Sequence, residues 1–175
     1  RFDYPGWGES GGASADQTLA SWRDDALAVI DEATSGPVIL VGSSMGGWIM
    51  LLAALARPGR VVAMAGIAAA PDFTDWGFTP EQKAAIQAEG RLEGPSIYSP
   101  QPTVTTRGFW ESGEANRLLD APIDIPVPTR LIHGQRDPDV PWEHSIKLAG
   151  LLRSVAVQTI LVKDGDHRLS RPQDI

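Results

Sequence analysis

Val38-Ile39-Leu40-Val41-Gly42-Ser43-Ser44-Met45-Gly46 decides how the rest of the chain is read. Four apolar residues run into a glycine-bounded turn, and beyond it Trp48 to Ala56 is apolar nearly all round. The pattern is strand, sharp turn, helix. Within it lies G-x-S-x-G, whose glycines leave room for a tight strand-to-helix turn and whose central serine is lifted to the tip. Ser44 is therefore a candidate nucleophile. Five such residues also occur as an incidental glycine-rich turn, so the reading depends on what surrounds them.

Upstream, Leu19, Trp22, Ala26, Val29, Ile30 and Ala33 recur at three- and four-residue steps, which predicts an amphipathic helix. Before it, Arg1-Phe2-Asp3-Tyr4 reads as the end of a strand and Pro5 to Gly12 as a glycine-rich turn. That turn has neither G-x-x-x-x-G-K-[ST] nor G-x-G-x-x-G, so it is not read as a phosphate cradle. Downstream, the all-apolar Trp48–Ala56 predicts a helix packed on both sides, and Val61–Ile67 a strand buried on both faces, as parallel strands are.

From Asp72 to Pro126 the rhythm breaks into prolines and scattered aromatics, Phe73, Trp76, Phe78, Tyr98, Phe109 and Trp110. Thr79-Pro80-Glu81-Gln82 has the spacing of a capping box with proline at the first helical position, predicting a helix from Pro80 to about Glu89 that Gly90 stops. Alternation resumes with a strand over Pro128–Gly134, a polar loop to Pro141, a helix with Trp142, Ile146, Ala149 and Leu152 on one face, and a last strand over Val155–Val162. The expected architecture is an α/β domain with a parallel sheet: core over residues 1–71 and 127–175, with 72–126 inserted.

Composition narrows the function classes. With 175 residues, 42% of them apolar, the chain can bury a substantial core. A net charge of −7 disfavours nucleic acid or an anionic membrane surface as partner. The absence of cysteine excludes disulfides and thiolate chemistry, and fits a cytoplasmic protein. Twelve arginines against three lysines hint at a bacterial source with a G+C-rich genome. No stretch approaches the ~18 consecutive apolar residues of a membrane span. The chain starts at Arg1 without methionine and reads as a piece whose upstream targeting signal is not visible.

Ligands of open parallel sheets bind beyond the carboxyl ends of the strands, and three such ends carry chemistry: Ser44 after one strand, Asp137 and Asp139 after another, His167 after the last. A serine hydroxyl attacks only when an imidazole accepts its proton and a carboxylate fixes that imidazole's tautomer. Either aspartate is placed to orient His167. His133 falls within a strand and His144 within a helix, where packing or surface roles are expected. The three histidines have no metal-ligand spacing, so no metal is expected.

The order Ser…Asp…His resembles that of the α/β-hydrolase superfamily. So do Gly42-Ser43-Ser44-Met45-Gly46-Gly47-Trp48, Leu131-Ile132-His133-Gly134-Gln135-Arg136-Asp137-Pro138-Asp139-Val140-Pro141-Trp142 and Gly165-Asp166-His167-Arg168. More narrowly, these stretches resemble the subfamily of palmitoyl-protein thioesterase and mycophenolic acid acyl-glucuronide esterase. The resemblance implies a serine hydrolase of esters or thioesters, with Ser44 as nucleophile, His167 as base, Asp137 rather than Asp139 as its orienter, and the Met45 N–H as one oxyanion donor. It implies no cofactor, a small-molecule or acylated-protein substrate, and residues 72–126 as a lid. It also implies that the first three strands and the second oxyanion donor lie outside the chain. Because one such donor is worth about 10²–10³ in turnover, the 175 residues by themselves are expected to be nearly inactive. A general carboxylesterase or lipase would use the same residues, and a non-catalytic binding domain could keep the same fold.

Overall fold

A computed structural model describes residues 2–95, 100 and 102–174; Arg1, Tyr98 and Ile175 lie outside the described residues. The chain forms two compact units. One is built from the residues up to Asp25 together with Asp72–Asn116, the other from Ala26–Pro71 together with Arg117 onward. Helix α1, Leu19–Glu32, is divided between them. Among the described residues no helix is long and apolar enough to cross a membrane.

The second unit carries the parallel sheet. Strands β1 (Val38–Ser43), β2 (Val61–Ile67), β5 (Thr129–Gly134) and β6 (Val157–Val162) lie side by side in the order β1-β2-β5-β6, all pairs parallel. Helices α2 (Met45–Ala56) and α6 (Glu143–Leu151) supply Met50, Leu51, Ala54 and Leu148 to a core that also holds Met64 and Leu131 from the sheet. Gly47 to Ala54 of α2 are all buried, as an all-apolar helix requires. Several sequence expectations need correction here. The strand Val61–Ile67 is not buried on both faces: Val61 and Met64 are buried in the core, whereas Val62 is 44% exposed. Phe2–Tyr4 form no strand among the described residues, since a strand exists only through a ladder neighbour and none pairs with them. The last strand starts at Val157 rather than Val155, which is fully exposed.

The face of α6 is also corrected. Ile146 is exposed, whereas Ser145 and Leu148 are buried. A hydroxyl sits where an apolar residue was expected because it has a buried partner, described below.

The first unit holds α3 (Phe73–Trp76), α4 (Pro80–Glu89), a two-stranded antiparallel pair β3 (Arg91–Gly94) and β4 (Thr103–Thr106), and α5 (Arg107–Glu114). Helix α4 begins with the expected capping box: Thr79 Oγ1 accepts from the Gln82 N–H at 3.2 Å, and Gln82 Oε1 accepts from the Thr79 N–H at 2.9 Å. It ends at Gly90, which is left-handed at φ 82°. The unit packs through Trp22 stacked edge-on against Phe109, Phe109 against Phe73, and fully buried Ile86. Thr74 is buried too, donating to Glu114 at 2.7 Å while its carbonyl accepts from the Trp110 indole at 3.0 Å.

Candidate active site

The second unit alone contains Ser44, Asp137 and His167. Ser44 stands between β1 and α2 with φ 53° and ψ −125°, a backbone state that an L-residue keeps only when its surroundings fix it. Three hydrogen bonds do so. The Ser44 N–H donates to Ile67 O at 2.9 Å, and its carbonyl accepts from Gly47 at 2.9 Å and Ala70 at 3.0 Å. The turn is tight enough that a Cβ on Gly42 would meet the Gly46 carbonyl, and one on Gly47 would meet the Ala69 Cβ. A Cβ on Gly46 would meet nothing within 4 Å. Among the described residues, only Gly42 of the two motif glycines is crowded, and Gly47, which the motif does not include, is crowded as well. Met45 opens α2, so its N–H has no intrahelical acceptor and lies at the positive end of the helix.

Asp137 and His167 are brought together by two loops that pack backbone on backbone. Gln135 N donates to Val162 O and Arg136 N to Gly165 O, each at 2.9 Å. At that crossing a Cβ on Gly134 would meet the Gly165 carbonyl. Asp166 Oδ1 accepts from the N–H groups of Arg168 and Leu169 at 3.1 and 2.9 Å, closing a turn around His167. His167 Nδ1 then meets Asp137 Oδ2 at 2.7 Å, with the carboxylate fully buried and the imidazole 12% exposed. Facing a carboxylate that only accepts, a neutral His167 ring places its hydrogen on Nδ1 and leaves the lone pair on Nε2. That is the tautomer a general base needs.

The aspartate that His167 meets is Asp137, and its other oxygen explains why it stays in place. Oδ1 accepts from the backbone N–H groups of Asp139 and Val140 at 2.8 and 2.9 Å. Asp139 therefore contributes its main chain to the loop. Asp137, Asp139 and His167 bring one carboxylate or imidazole atom each within 4.8 Å of one another, and two of the three, Asp137 and His167, bond each other.

His133, expected in a strand with a packing or surface role, lies in β5 as the sequence implies, and it also has polar partners. The structure buries its side chain completely and sets Nε2 3.1 Å from Asp137 Oδ2 and 3.0 Å from Val140 O, with Nδ1 2.7 Å from Ser145 Oγ. A signal existed: Thr129, Leu131 and His133 alternate onto the core face of β5, and a buried imidazole must find partners. His144 sits on α6, half-buried, and burial pushes its imidazole below the ordinary range, Lys147 adding to the effect.

The sequence matches the alpha/beta hydrolase family over residues 1–175. The chain belongs to this family. The mitochondrial palmitoyl-protein thioesterase of Homo sapiens is 44% identical across the whole chain, which spans 58% of that protein's length. Among solved structures, a putative hydrolase of Agrobacterium vitis S4 matches with a TM-score of 0.92 at 44% identity, covering 99% of this chain and 70% of the other. Mouse alpha/beta hydrolase domain-containing protein 10 matches with a TM-score of 0.90 at 40% identity, over 99% of this chain and 71% of the other. The alpha/beta hydrolase fold expected from the sequence is thus confirmed, and so is the resemblance to palmitoyl-protein thioesterases. The expectation of a cytoplasmic protein is overturned, because the human relative is a mitochondrial enzyme. Lack of cysteine excludes disulfides and cannot tell one reducing compartment from another.

Proposed function

We propose that this member of the family is a serine hydrolase that cleaves carboxylic esters or thioesters, of the acyl-protein thioesterase or acyl-glucuronide esterase type, through an acyl-enzyme on Ser44. The observation that carries the reading is the 2.7 Å contact between His167 Nδ1 and buried Asp137 Oδ2, in the same unit as a serine held at φ 53° on a strand-to-helix turn. The identity to thioesterases supports the substrate class.

In this reading His167 Nε2 accepts the Ser44 hydroxyl proton as Oγ attacks the acyl carbonyl. The negative charge gathers on the carbonyl oxygen, where the Met45 N–H and the α2 N-terminus stabilise it. His167 returns the proton to the departing alcohol or thiol. Water, deprotonated by His167, then attacks the acyl carbon, and His167 returns that proton to Ser44 Oγ as the C–Oγ bond breaks and the acid leaves. Asp137 holds the tautomer and stabilises the imidazolium that forms twice in the cycle. Residues 72–126 serve as the lid in this scheme, as the family resemblance implies. With Met45 as the one oxyanion donor assigned, we infer that these 175 residues alone turn over ester slowly or not at all.

The test is a comparison, in the protein at its natural length, of palmitoyl thioester with short aryl ester hydrolysis in the parent and in Ser44→Ala. Turnover that prefers the palmitoyl thioester and vanishes in Ser44→Ala is expected. Turnover that persists in Ser44→Ala would end the proposal, and a preference for short aryl esters would replace the thioesterase class with a general esterase.

A further inference from the structure

Asp137 receives two imidazoles, and the proposed reaction uses only one. Around its carboxylate all four acceptor positions are taken. Oδ1 accepts the N–H groups of Asp139 and Val140, at 2.8 and 2.9 Å. Oδ2 faces His167 Nδ1 at 2.7 Å and His133 Nε2 at 3.1 Å. His133 Nε2 has a second acceptor, the Val140 carbonyl, at 3.0 Å. Two acceptors around one ring nitrogen require that nitrogen to carry the hydrogen. The opposite nitrogen, Nδ1, lies 2.7 Å from Ser145 Oγ, and in a neutral ring it accepts the serine's hydroxyl hydrogen. The side chains of His133 and Asp137 are both completely shielded from solvent, and Ser145 is buried as well. A buried carboxylate that lost one of these donors would be left with unsatisfied charge.

We propose that His133 is a positioning residue for the Asp137–His167 pair. Locked by Ser145 with its hydrogen on Nε2, it donates to the very oxygen that orients His167. Together with the two backbone N–H groups on Oδ1 it stops the carboxylate from turning about its last torsion, and it sets how strongly Oδ2 pulls on the His167 N–H. The inference rests on the proposed roles of Ser44, Asp137 and His167, and it deepens them. It also explains why a serine occupies the core face of α6. A packing residue at position 133 would need only to fill space, like Leu131 on the same strand face. The structure shows instead a chain of three hydrogen bonds that begins at Ser145 Oγ, passes through both nitrogens of His133 and reaches His167 through one oxygen of Asp137.

The test uses the protein at its natural length with His133→Phe, His133→Gln and Ser145→Ala. Phenylalanine keeps the ring and removes the donor, while glutamine returns an N–H near the position of Nε2. Two readouts are taken: the low-field proton resonance of the His167 Nδ1–H, and kcat and KM for an acyl ester. In His133→Phe the His167 resonance is expected to shift and kcat to fall about tenfold with KM little changed, the size expected for one hydrogen bond to a buried charge. His133→Gln is expected to restore both toward the parent. Ser145→Ala, which leaves the ring in place, is expected to broaden or move the His133 N–H resonance and lower kcat, and it carries the test if His133→Phe does not fold. The proposal is overturned if the His167 resonance does not move in His133→Phe, or if Phe and Gln lose the same activity. Absence of any turnover in the parent would refute the hydrolase reading instead, and the resonance would still decide whether His133 acts on His167.

Discussion

Replacing three glycines of the Ser44 turn one at a time by alanine tests the packing argument with opposite signs. At Gly42 the new Cβ would meet the Gly46 carbonyl oxygen and lie 2.7 and 2.8 Å from Gly46 C and Gly47 Cα. All three are backbone atoms of a turn already fixed by its hydrogen bonds, so relief requires the elbow itself to move. Overpacking of this kind costs about 1–3 kcal/mol. At Gly47 the new Cβ would meet the Ala69 Cβ and lie 2.8 Å from the Ala69 Cα. Here a helix-propensity gain of about 1 kcal/mol offsets part of the clash. At Gly46 nothing lies within 4 Å, and alanine in a helical position gains roughly 0.5–1 kcal/mol. For a chain of this size each kcal/mol moves the melting temperature by about 2–4 °C. Thermal denaturation followed by circular dichroism should therefore rank the variants Gly46→Ala above the parent by about 1–4 °C and Gly42→Ala lowest, with Gly47→Ala between the parent and Gly42→Ala. A Gly46→Ala variant that melts as low as Gly42→Ala would refute the reasoning, because it would mean the motif acts through both glycines alike.

Three further outcomes follow from the same geometry. Ser44→Gly should melt about 2–4 °C above Ser44→Ala, since glycine adopts φ 53° without strain worth roughly 1 kcal/mol; equal melting temperatures would show that the turn stores none. Asp137→Asn keeps an oxygen for the two backbone donors but turns an amide N–H₂ toward His167 Nδ1 and the His133 Nε2–H, so the wrong His167 tautomer is favoured and kcat should drop about 10³–10⁴-fold while the melting temperature also falls, read by steady-state kinetics beside a thermal melt. Burial holds the pKa of His144 below its usual 6.5, so the folded chain binds that proton at lower pH than the unfolded chain does. The stability involved is fully present above about pH 6.5 and is lost as pH falls through the folded value, so His144→Gln should flatten the fall in melting temperature from about pH 7 to pH 5. An unchanged slope would remove His144 from the acid response.

Where local chemistry decides structure, the sequence was readable. Thr79-Pro80-Glu81-Gln82 builds its own helix start, and α4 runs from Pro80 to Glu89 as the capping box requires. Val38–Ser43 and Met45–Ala56 flank Ser44 as a strand and a helix, as a short β-branched apolar run before a glycine-bounded turn and a longer all-apolar run after it lead one to expect. What escaped depends on partners distant in sequence. Phe2–Tyr4 carry strand-forming residues, yet a strand is defined by its neighbour. Ser145 looks like a surface residue until His133, twelve positions earlier, is seen to bond it. Asp137 and Asp139 are only two residues apart, and what separates them is which one turns its carboxylate toward His167 and which its main chain toward Oδ1. The β3–β4 pair in the proline-rich stretch has no alternating apolar pattern in Arg91-Leu92-Glu93-Gly94 to announce it.

The most direct measurement of the central claim is the site of covalent modification. Incubating the natural-length protein with a fluorophosphonate and mapping the adduct by peptide mass spectrometry should place a single modification on Ser44. It should be absent in Ser44→Ala and slowed in Asp137→Asn and His167→Ala. A folded protein that takes no adduct, or takes it on another residue while Ser44 stays unmodified, would contradict the assignment of Ser44 as the nucleophile.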